Sequence, residues 1–184
     1  DALAAFDWTL ANARALGGDP AHVGIGGDSA GGNLAAVVAL LARDRGGAKP
    51  SFQLLIYPAT DLAGDMPSHQ SCGEDFLLTR PMMEWFRAQY LSSEAEIGDW
   101  RVSPLKAADL SRLPPAYLCT AGFDPLRDEG KAYADRLKQA GTETTYRNFD
   151  SLIHGFVGFT GTIAAAARAM DEIALAMREN LSAD

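Results

Sequence analysis

The chain has 184 residues, enough to bury a substantial core as one domain or a piece of one. Its formal net charge of −8 leaves no basic footprint for nucleic acid, and no apolar stretch approaches bilayer length. Cys72 and Cys119 form neither a disulfide framework nor a metal pattern, so isolated thiols of a reduced, cytoplasmic compartment are expected.

The chain opens without a methionine, directly into Leu3, Phe6, Leu10 and Ala13, whose spacing predicts a helix over 1–16. Gly17-Gly18-Asp19-Pro20 ends it. So abrupt a start raises the expectation of a longer parent protein, and it leaves a signal peptide upstream open. A strand is predicted over 22–26, then a helix over 30–45. That helix is apolar on most sides through Leu34, Val37, Val38, Leu40 and Leu41, as when packed beneath other layers. Phe52 to Tyr57 reads as a second strand closed by Pro58, and residues 60–80 read as irregular. A short helix over 81–91 bears Met82, Met83, Trp85, Phe86 and Tyr90. A strand at 116–120, a helix at 128–140 ended by Gly141, a strand at 142–149 and a helix at 162–181 complete the pattern. Strands alternate with helices and are continuously apolar, which suits an α/β fold with a parallel sheet covered on both faces.

Ser29 stands in Gly26-Gly27-Asp28-Ser29-Ala30-Gly31-Gly32-Asn33, between a strand and a helix. That context fits a nucleophile elbow, a turn sharp enough to demand small residues two before and two after the serine. Gly27 and Gly31 meet the demand. A serine hydroxyl needs a base within hydrogen-bond reach. His22 lies at the wrong end of the strand carrying the serine, and His69 lies in a Pro/Ser/Gln loop where solvation is expected. His154 follows the fourth strand, at the carboxyl rim where parallel sheets build their sites. Asp124 closes the third strand at the same rim and is placed to orient that imidazole. Asp128 and Glu129 fall in the first turn of the next helix, where the dipole is a sufficient account of them. The order Ser29, Asp124, His154 is that of the α/β-hydrolases, and it argues against the chymotrypsin-like proteases whose serine motif also begins Gly-Asp-Ser.

With these motifs the chain resembles the hormone-sensitive-lipase family of esterases, in the branch with aspartate before the serine. Gly18-Asp19-Pro20, Tyr57-Pro58, Ser103-Pro104-Leu105, Leu113-Pro114-Pro115, Asp124-Pro125-Leu126-Arg127-Asp128-Glu129-Gly130 and His154-Gly155-Phe156 follow in that family's order. The resemblance implies the C-terminal part of an α/β-hydrolase fold over 1–184, with 62–100 contributing to a cap. The sheet strands read here then correspond to the last ones of the family's sheet. The missing N-terminal half would carry the family's His-Gly-Gly-Gly oxyanion loop, which leaves the Ala30 backbone N–H as the donor present. A homodimer through the strand at 142–149 is implied in the same way.

The resemblance also implies a serine carboxylesterase acting on short- to medium-chain acyl esters, with Ser29, Asp124 and His154 catalytic and no metal or organic cofactor. Phe76, Leu77, Trp85 and Phe86 are candidate lining for the acyl pocket, and they equally suit the core of a cap helix. Amidase or acyltransferase chemistry would use the same triad. A ligand-binding protein on this scaffold, as in the gibberellin receptors, is the alternative from another class, and His154 argues against it.

Overall fold

The alternating pattern resolves into a four-stranded, all-parallel sheet with helices on both faces, in a computed structural model describing residues 1–182. In chain order come α1 (Ala2–Asn12), β1 (Ile25–Asp28), α2 (Ala30–Asp44), β2 (Gln53–Ile56) and α3 (Pro67–Ser71). Then follow α4 (Arg80–Tyr90), β3 (Ala116–Phe123), α5 (Arg127–Gln139), β4 (Thr144–Ile153) and α6 (Ala164–Leu181). The strands lie side by side in sequence order, so β1 and β4 are the edges of this sheet. Parallel neighbours cannot be joined by hairpins, and helices make the crossovers. No helix of the described residues is long and apolar enough to cross a membrane.

Side chains alternate along each strand, and this sorts the core into two layers. Leu55 and Leu118 face Ala36, Ala39 and Leu40 of α2 and Tyr133, Ala134 and Leu137 of α5. Leu54, Ile56, Tyr117 and Cys119 face Ala166, Ala169 and Ile173 of α6. The all-round apolar character of α2 has a simple cause. While one side meets the sheet, Val38 and Ala42 receive Phe6 of α1.

Some boundaries differ from those read in the sequence. α1 stops at Asn12, with residues 13–17 in turns. β1 starts at Ile25 because Asp19 accepts the Ala21 N–H and folds residues 20–22 into a 3₁₀ turn. The stretch over 60–80 contains α3, five residues long and too short to show a helical period. β3 runs on to Phe123 and β4 to Ile153. Their pairing slips between Ala121 and Phe123. There Gly122 admits the Asp150 backbone so closely that any Cβ would overlap it, as in a bulge.

This slip sets where both strands end. Gly122→Ala in the full-length protein is expected to cost about 1–3 kcal/mol in urea unfolding, the usual penalty of overpacking. An unchanged midpoint would mean that the strands can part there freely.

Candidate active site

Ser29 is the first residue after β1 and directly precedes α2. Its φ of 53° and ψ of −118° are strained values for a residue with a side chain. The turn presses Gly27 onto the backbone of Gly31 so tightly that a Cβ on Gly27 would overlap it. A Cβ on Gly31 would meet open space among the described residues, so the steric demand falls on Gly27. The turn is held on both sides. The Ser29 N–H donates to Ile56 O at 2.9 Å, and Ser29 O accepts from Asn33 N at 3.1 Å. The buried Asn33 amide donates to the carbonyls of Ala59 and Val102, each at 2.8 Å.

Asp124 is the first residue after β3 and His154 the first after β4, so the sheet delivers both to the rim that bears Ser29. His154 Nε2 lies 2.9 Å from Ser29 Oγ, and its Nδ1 lies 2.7 Å from Asp124 Oδ2. A carboxylate only accepts, so Nδ1 carries the ring proton and Nε2 is left to accept from the serine hydroxyl. Asp124 is fully buried, and its Oδ1 accepts the Leu126 N–H at 2.8 Å just before α5 begins. Ala30 opens α2, where a backbone N–H has no carbonyl one turn back to bond. The arrangement can take a proton from Ser29, hold it on the imidazole and offer the Ala30 N–H to a developing negative charge.

The four candidate pocket residues fall in two groups. Phe76 stacks on Phe123, the residue before Asp124, with ring centroids 5.1 Å apart. Leu77 lies against Gly155, beside His154, and is held there at a left-handed φ of 62°. Trp85 and Phe86 stand on α4 and pack on each other at 5.3 Å. No residue of α4 is buried, so these aromatics form no cap-helix core among the described residues.

His69 and Glu129 correct two expectations. His69 is buried rather than solvated, and Glu129 is wholly buried rather than merely placed at a helix dipole. Glu129 Oε1 accepts the N–H groups of Thr60 and Asp61 at 2.6 and 3.0 Å, and Oε2 accepts from His69 Nε2 at 2.8 Å. Burial pushes the Glu129 carboxyl upward, and these donors pull it back. His69 Nδ1 accepts the Met66 N–H at 3.0 Å, which fixes the tautomer. Nearby, Ser68 Oγ donates to Pro125 O at 2.6 Å, and the Ser68 N–H donates to Asp128. The segment after β2 is thereby bolted to the loop that carries Asp124. Sequence reasoning missed this pair because its members lie 60 residues apart and His69 sits on a helix too short to show a period. His22 is half-buried beside Asp19, ahead of β1 and away from Ser29.

Residues 1–158 match a protein family described as alpha/beta hydrolase fold. Carboxylic ester hydrolase LipN of Mycobacterium tuberculosis is 46% identical across 99% of this chain and 50% of its own length. Carboxylesterase NlhH of the same species is 41% identical across 100% of this chain and 58% of its own. Among solved structures, EstE1, a thermophilic and thermostable carboxylesterase cloned from a metagenomic library, superposes with a TM-score of 0.95. It is 42% identical over 100% of this chain and 63% of that one. The chain thus spans about half the length of the curated relatives it matches.

His69 and His22 should differ sharply on substitution. His69→Ala removes one of the three donors to a buried carboxylate and is expected to cost about 1–3 kcal/mol. His22→Ala breaks a solvent-screened pair with Asp19 and should leave the midpoint near that of the wild type. Urea unfolding of both variants in the full-length protein checks this, and equal midpoints would contradict it.

Proposed function

The chain belongs to the α/β-hydrolase fold family, among the hormone-sensitive-lipase-type esterases, and on that premise we propose that it carries the catalytic residues of a serine carboxylesterase. One observation carries the proposal: two hydrogen bonds run from Ser29 Oγ through the His154 ring to Asp124. In the proposed cycle Ser29 Oγ attacks the ester carbonyl carbon and its proton passes to His154 Nε2. Asp124 holds the ring in its tautomer and stabilises the imidazolium. The carbon–oxygen bond to the alcohol breaks, the alcohol leaves with the proton from Nε2, and an acyl group stays on Ser29. Water then repeats the sequence and releases the acid.

The Ala30 N–H faces the oxyanion in this reading. A single such donor is worth about 10²–10³ in rate, so further donors from the rest of a longer protein would complete the hole. In a protein as long as those relatives, the additional chain would also pair with the edge of β1 and cover the exposed face of α4, with residues 62–100 forming part of a cap. Short- to medium-chain acyl esters are the proposed substrates. The relatives' names support an ester of a carboxylic acid, and Phe76, Leu77 and Phe123 offer apolar surface beside Asp124 and His154. Cytoplasmic residence is supported by two free, buried thiols, of which Cys119 is pushed up to about 12 by burial and is unreactive.

Hydrolysis of p-nitrophenyl butyrate by the full-length protein tests the reading. Ser29→Ala should abolish turnover, and Asp124→Asn should lower kcat by about 10⁴ through the wrong tautomer. A folded parent no faster than its Ser29→Ala variant would favour a binding protein instead.

A further inference from the structure

Four strands end at the rim, and the proposed mechanism uses the residues that follow three of them. The fourth is Tyr57, first after β2. It is fully buried and adopts a φ of 34°, a left-handed conformation that a bulky side chain rarely takes. Its N–H donates to Cys119 O at 2.7 Å, which holds the backbone in that state. Strain retained beside a reactive centre points to a role there.

The side chain shows what the strain positions. The Tyr57 ring lies 4.6 Å from the His154 imidazole, centroid to centroid, with the planes inclined by 54°. Phe156, two residues beyond His154, meets the same Tyr57 ring at 5.1 Å, nearly perpendicular. Phe149 backs Phe156 in turn at 5.4 Å. The phenol Oη donates to Asp28 Oδ2 at 3.2 Å, and Asp28 immediately precedes Ser29. Burial and the Asp28 carboxylate raise the phenol well above its ordinary range, so it stays protonated and keeps donating. One side chain therefore touches the base and is tied to the strand of the nucleophile.

Hydrogen bonds at Nδ1 and Nε2 fix the line joining the two nitrogens of His154. They leave the ring free to pivot about that line. A second ring packed beside the imidazole removes this freedom. We propose that Tyr57 is a positioning residue for His154, its ring setting the tilt of the imidazole and its tie to Asp28 holding the ring in register with Ser29. The inference rests on the esterase reading above.

The test measures ester turnover by the full-length protein carrying Tyr57→Leu or Tyr57→Phe, beside wild type and Ser29→Ala. Misplacement of a catalytic group by about 1 Å costs up to about 10²-fold. Tyr57→Leu should lower kcat by about 10- to 100-fold with KM within about twofold of wild type. Tyr57→Phe keeps the ring and should restore kcat to within about threefold. A Tyr57→Leu kcat equal to wild type, or a Tyr57→Phe kcat as low as that of Tyr57→Leu, overturns the proposal.

If Tyr57→Leu does not fold, Tyr57→Phe and Asp28→Ala decide the matter, because they cut the same tie from opposite ends. The double variant should then lose no more kcat than the worse single variant. A loss equal to the product of the single losses overturns the proposal. Wild type without Ser29-dependent turnover would instead remove the esterase reading itself.

Discussion

Between β1 and α2 there is no loop, only Ser29 at φ 53°, and the arrangement of the rim follows from that turn. The chain reverses so sharply that Gly27 presses on the backbone of Gly31, which only a residue without a Cβ allows. The hydroxyl is thereby lifted out of the sheet at the carboxyl end of its strand. Only groups that leave the sheet at the same end can reach it. An all-parallel sheet supplies them, because every strand ends on that side. Asp124 and His154 arrive as the residues following β3 and β4, and Tyr57 as the residue following β2. The register slip at Gly122 adjusts the two longer strands so that their ends meet.

Among the described residues two buried histidine–carboxylate pairs occur, with nearly equal contacts of 2.7 Å at His154–Asp124 and 2.8 Å at His69–Glu129. The third partner separates them chemically. The free nitrogen of His154 meets a serine hydroxyl, whereas that of His69 accepts a backbone N–H from Met66. One pair can therefore exchange a proton with an oxygen nucleophile. The other is sealed by the backbone and joins the segment after β2 to the first turn of α5. A histidine beside a carboxylate is thus no sign of chemistry until its second nitrogen is accounted for.

The sequence made the rim positions legible because punctuation marks them, although β3 and β4 run on to Phe123 and Ile153, past the ends expected at 120 and 149. Gly27 and Gly31 flank the serine, Pro125 follows Asp124 and Gly155 follows His154, each where a strand must stop. The long helices were legible from apolar spacing, since α2, α5 and α6 are long enough to show a period. What stayed hidden depends on approach between distant segments. The last residues of β4 pair only because Gly122 lets Asp150 in, and His69 is buried only because Glu129 reaches it from α5. Tyr57 reads in the sequence as the last residue of an apolar strand. Its left-handed backbone and its place beside the imidazole are visible only in three dimensions.

Treating the full-length protein with a fluorophosphonate and mapping the adduct by peptide mass spectrometry asks directly whether Ser29 is the nucleophile that His154 activates. A single adduct on Ser29 in the wild type, formed far more slowly in His154→Gln, is the predicted result. An adduct on another residue, or none on a folded protein that still hydrolyses esters, would contradict it.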